Sequence, residues 1–127
     1  HYEVYRAENL ADVFATLMHL QATMDDSLPR LYGFIRRVSL LTEASVEHFT
    51  TSAIEASLDV GQALLQSGKL QTMSAREIFR TAQDLARNHM MSKSDFQKLT
   101  HTMQRNPAHA LFGSYRPDTI NQLAANP

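Results

Sequence analysis

The chain contains no cysteine. That excludes a disulfide framework, a thiolate metal ligand and a thiol nucleophile. Glycine and proline are sparse, four of each in 127 residues. No apolar run approaches the ~18 residues that a membrane span needs. Alternation at period two is missing over any useful length, so no segment reads as a strand. Neither sign of charge dominates, the formal net charge being −1. The sequence opens on His1 rather than Met, so the expectation is a processed form or a piece of a longer chain.

What is present is the composition of a folded domain. Hydrophobic residues make up 43% and charged residues 20%, which separates the chain from disordered sequences. Its length fits one domain, 1–127, closing one modest core. The charge is uneven: residues 1–67 hold four Arg against nine acids, a balance of −5, and residues 68–127 hold eight Lys or Arg against four acids, a balance of +4. The two halves either neutralise each other within one fold or mark a face for an acidic partner.

Hydrophobic rhythm predicts helices throughout. Leu10, Val13, Phe14, Leu17, Met18 and Met24 share one side of a helix running from Asn9 to about Asp26, with Asn9 as its N-cap. Leu28-Pro29 interrupts it. From Pro29 the residues Leu31, Ile35, Val38, Leu41, Ser45, Phe49, Ala53, Ala56, Val60 and Leu64 keep a spacing of three and four. They predict a long helix over 29–67, ended by Gly68. One uninterrupted helix there would measure ~55–60 Å. A break at Thr42–Ser45 or Thr50–Ser52 is the alternative. Ser74-Ala75-Arg76-Glu77 is a capping box preceded by Met73 and followed by Ile78, and Ser92-Lys93-Ser94-Asp95 repeats the device before Phe96. The two helices so started are expected to form an antiparallel hairpin. Residues 105–127, rich in proline, read as an irregular docked tail with short helical turns, held by Leu111, Phe112, Tyr115, Ile120 and Leu123. The expected fold is therefore an all-α bundle of about four helices.

Catalytic and metal motifs are missing. The six histidines include no pair four apart, and no Glu-x-x-His occurs. There is no Gly-x-Ser-x-Gly elbow and no glycine-rich phosphate loop. No catalytic, cofactor or metal residue is assigned, and the chain is expected not to be an enzyme.

Two resemblances offer alternatives. Leu85-Ala86, Met91, Phe96 and Leu99 follow a spacing that resembles a helix-turn-helix motif. That resemblance implies nucleic-acid binding through residues 76–105, with Arg76, Arg80, Arg87, Lys93, Gln97, Lys98 and Arg105 reaching phosphates or base edges. Met90 stands where the motif carries a turn glycine. The long amphipathic helix, Ala63-Leu64-Leu65-Gln66-Ser67-Gly68-Lys69, and the helix through Phe79-Arg80-Thr81-Ala82-Gln83 resemble the phasins, which would imply an amphipathic coat on granules, self-association and no catalysis.

The main expectation is a non-enzymatic protein-interaction or regulatory domain, an adaptor that also pairs with a second copy as a homodimer. The interface is expected at Ile35, Val38, Phe49 and Val60, since an overhanging long helix would expose its apolar stripe. A cytoplasmic location and no cofactor complete the reading.

Overall fold

The structure, a computed structural model, describes residues 1–42 and 46–105. Among them are five α-helices: α1 (Tyr2–Thr23), α2 (Ser27–Thr42), α3 (Thr51–Gln66), α4 (Ala75–His89) and α5 (Lys93–Arg105). A 3₁₀ turn at Val46–His48 precedes α3, and another at Leu70–Thr72 precedes α4. None of the described residues is a strand. The fold is an all-α bundle, as the hydrophobic rhythm predicts. The expected docked tail lies outside the described residues, apart from the backbone of Arg105.

Where the chain caps itself, the helix ends follow the sequence. The Ser74 hydroxyl accepts the Glu77 N–H at 3.2 Å, and the Ser92 hydroxyl accepts the Asp95 N–H at 3.1 Å. Gly68 takes the left-handed conformation (φ 76°). The Gly68 N–H bonds Leu65 O at 3.0 Å and the Lys69 N–H bonds Leu64 O at 2.9 Å, closing the last turn of α3 in a Schellman motif.

Three expectations are corrected. The first helix starts at Tyr2, not Asn9. Asn9 is buried mid-helix and its amide donates to Tyr5 O at 2.8 Å, so its side chain bonds back along the helix instead of opening it. The long helix over 29–67 is divided into α2 and α3 around the 3₁₀ turn, as the alternative break near Thr42–Ser45 anticipates. Finally, α4 and α5 do not bury their apolar sides together. Ile78, Ala82 and Ala86 of α4 join Val13, Leu17, Leu20, Ile54, Leu58 and Leu70 in one cluster. Phe96, Leu99 and Met103 of α5 join Tyr5, Leu40, Val46 and Phe49 in another.

Helix α1 serves both clusters, Tyr5 at one end and Val13, Leu17 and Leu20 at the other. It also holds the connections. The Gln21 amide donates to Leu70 O at 2.9 Å and Met73 O at 2.8 Å. The Tyr2 hydroxyl donates to Met91 O at 2.9 Å, while the Tyr5 hydroxyl accepts the Met91 N–H at 2.8 Å. Tyr2 and Tyr5 stack, and Phe96 packs tilted against both, with ring centroids 5.1 to 5.9 Å apart.

Gly61 brings α3 close to α1. A Cβ there would overlap Leu20 Cδ1 and stand 3.3 Å from Leu17 Cδ2. Gly61→Ala gains about 1 kcal/mol of helix propensity, but overpacking of a fully buried contact costs ~1–3 kcal/mol. Urea unfolding is expected to show Gly61→Ala less stable than the parent chain by about 1 kcal/mol.

Candidate functional site: the outward face of α2

Helix α2 is mounted with its polar side inward. Gly33, Pro29 and Leu40 are buried, and Arg36 and Arg37 are half-buried on the same side. The Thr51 hydroxyl donates to Gly33 O at 3.0 Å, and a Cβ at position 33 would meet Ile54 Cγ2 at 3.3 Å. The backbone of α2 therefore seats directly on α3, and nothing bulkier than glycine fits without a shift there.

The charges of α2 complete the attachment. Arg36 Nε donates to Asp12 Oδ2 at 3.0 Å, and Arg36 Nη2 donates to Asp12 Oδ1 at 3.3 Å and Glu8 Oε2 at 3.0 Å. The Thr50 hydroxyl donates to the same Asp12 carboxylate, so one nearly buried acid ties together α1, α2 and the start of α3. His48 Nδ1 stands 3.7 Å from Glu8 Oε2. Burial works against the Arg36 charge. The hydrogen bond and field of Asp12, with Tyr32 and Glu8, outweigh it, and the pKa lies above the ordinary guanidinium value. The guanidinium also sits 4.7 Å over the Tyr32 ring. Arg37 pairs with Glu55 on α3, and Arg30 with Asp26 at 2.6 Å.

With Arg36 and Arg37 turned inward and Arg30 paired to Asp26, the outward face is left apolar. Leu28 is 59% exposed, Leu31 52%, Tyr32 41%, Phe34 58% and Ile35 46%. Met24 is exposed just before the helix. A shallow apolar depression of about 260 Å³ adjoins this face, where Ala15, Thr16 and His19 of α1 meet Leu28, Pro29 and Tyr32.

Of the expected interface residues, Ile35 lies within this face and Val38 is half-buried at its far end. Phe49 is a correction. It is 8% exposed and packs with Tyr5, Leu40 and Phe96, because the break before α3 turns it into the core. Val60 is half-buried on α3, away from α2. Leu28, Leu31, Tyr32 and Phe34 were not anticipated as interface residues. The available signal was Gly33 and the Arg36-Arg37 pair, which share the side of the helix opposite Leu31 and Ile35.

The residues of the nucleic-acid alternative lie on α4 and α5. Arg76, Arg80 and Arg87 are exposed on α4, with Arg87 paired to Asp84 at 2.6 Å. Lys93, Gln97 and Lys98 are exposed on α5, and the Arg105 side chain lies outside the described residues. A helix-turn-helix rests on an apolar contact shared by its two helices, whereas α4 and α5 bury into separate clusters. Among the described residues, no group of three His, Asp or Glu side chains is placed to hold a metal ion. No described helix is long and apolar enough to cross a membrane. No family model, curated protein or solved structure matches the chain.

The network makes two outcomes testable. Asp12→Ala strands a half-buried Arg36 and is expected to lower stability by about 3 kcal/mol. Glu8→Ala removes a more exposed partner and is expected to cost under about 1 kcal/mol; chemical denaturation of both variants checks the order. At the entrance to α2, the Asp25 carboxylate accepts the Ser27 N–H at 2.9 Å and the Ser27 hydroxyl at 2.7 Å. These bonds, with a smaller contribution from His19, hold its pKa below the ordinary carboxylate value. The charge-dependent stabilisation is therefore complete above pH ~4 and is lost as the pH falls through the lowered value. Thermal melts of Asp25→Asn and the parent chain are expected to differ near neutrality and to converge in strong acid.

Proposed function

We propose that this chain is a non-enzymatic protein-interaction domain that receives its partner on the outward face of α2. One observation carries the reading: five large apolar side chains stand in solvent on one helix whose charged side chains are all turned to ion pairs. Full burial of one such side chain is worth ~1.5–3 kcal/mol. With each roughly half open, covering the face would release on the order of 5 kcal/mol. Contiguous apolar patches of this kind on a soluble fold mark binding surfaces.

The chemistry of the face specifies the kind of partner. Leu28, Leu31, Ile35 and Val38 follow a spacing of three, four and three, the a and d pattern of a helix-to-helix seam. The adjoining depression offers a socket for an apolar side chain beside that seam. The occupant is accordingly an apolar helical surface and not a charged polymer.

Photo-cross-linking tests the proposal. A benzophenone amino acid replacing Phe34 is expected to yield a discrete protein adduct when the full chain is irradiated in its native cells. The same residue replacing Gln83, an exposed polar position on α4, is expected to yield none. Absence of an adduct from position 34, or equal adducts from both positions, would refute the proposal.

A further inference from the structure

We infer that the cleft between the start of α3 and the α4–α5 turn is a binding site for a small carboxylate with an apolar body. The inference does not depend on the outward face of α2: of that helix, Arg37 alone lines the cleft.

The cleft has a volume of about 490 Å³, within the ~300–1,000 Å³ of small-molecule sites. Its base is apolar. Tyr5 and Phe49 are buried there and Met91 is half-buried. The Met91 N–H donates to the Tyr5 hydroxyl at 2.8 Å and holds the two together. Ser52, Asn88 and His89 line the same cleft as exposed residues. Among the described residues, their side chains have no hydrogen-bond partner. An apolar base with a few polar groups converging on it is the ordinary form of a small-molecule site.

Arg37 sets the charge of the ligand. Its side chain is 16% exposed. Nη2 donates to Glu55 Oε1, but Nε is buried and has no acceptor. A buried donor left without a partner costs free energy. A guanidinium donates and never accepts, so the missing partner is an acceptor. A carboxylate is acceptor-only, and its bonds to guanidinium are among the strong ones. Ser52, Asn88 and His89 supply further donors around it. The one acid that lines the cleft, Glu55, already faces Arg37. An ammonium ligand would have to compete with that guanidinium for it.

Amide NMR of the isotope-labelled full chain tests the inference with three probes: phenylacetate, phenylacetamide and phenethylamine. They share a ring and differ in the polar head. Phenylacetate is expected to shift the signals of Ser52, Glu55, Asn88 and Met91 saturably. A Kd on the order of 1 mM suits a ligand of about ten non-hydrogen atoms. The amide and the amine are expected to bind at least ~10-fold more weakly. Arg37→Gln is expected to abolish that preference, so that acid and amide bind alike. Because Arg37 also holds Glu55, a second variant leaves the ion pair intact: Ser52→Phe, at an exposed position, is expected to keep the helical circular dichroism and to block phenylacetate. No response at these signals, an equal response to the amide or the amine, an acid preference that survives Arg37→Gln, or phenylacetate binding unchanged in Ser52→Phe would each overturn the inference. The cross-linking from position 34 is independent of all four results.

Discussion

The bidentate contact between Arg36 and Asp12 decides how this molecule presents itself. It adds an ionic attachment to the inner side of α2, where Arg36 and Arg37 lie beside buried Pro29, Gly33 and Leu40. Two charges removed from water repay that cost only when the geometry is close and the remaining lone pairs are used. Here Thr50 and Glu8 supply those extra contacts. Ion pairs of this depth add little net stability compared with apolar packing, but they define orientation: rolling α2 to bury Leu31 and Ile35 would strand Arg36, Asp12 and Arg37. The exposed apolar face is the counterpart of the buried ionic one.

That arrangement explains which parts of the architecture were legible in the sequence. Helix starts that depend on neighbours a few residues away, such as Ser74 with Glu77 and Ser92 with Asp95, are local chemistry and appear where their residue types predict. The same holds for Gly68 at the end of α3. The origin of α1 was hidden because Asn9 has the identity of a cap, and only burial beneath Tyr5 shows that it is mid-helix. The interruption between α2 and α3 was one of two open readings of Thr42–Ser45 and Thr50–Ser52.

The facing of α2 was not legible at all. Periodicity tells which residues share a side of a helix, not which side meets the core. Leu31, Ile35 and Val38 form a regular stripe whether it points in or out. What decides the matter is Asp12, whose partner is 24 positions away and whose spacing carries no pattern. Phe49 was misplaced for a related reason: it continues the stripe arithmetically, but a change of direction before α3 sends it to the opposite side, among the residues around Tyr5.

The two hydroxyls that grip Met91 carry a consequence for how the molecule comes apart. Tyr2 and Tyr5 reach across 89 and 86 positions of chain to hold the turn between α4 and α5, and contacts of such separation are closed at a high entropic cost. The cluster built by α1, α3 and α4 is complete without α5, whereas α5 meets the rest of the molecule through the aromatic stack and the residues around Val46. Helix α5 and the first turn of α1 thus share one cluster, together with Leu40, Val46 and Phe49. Contacts shared in this way are expected to be lost together, separately from the larger cluster around Val13, Leu17 and Ile54.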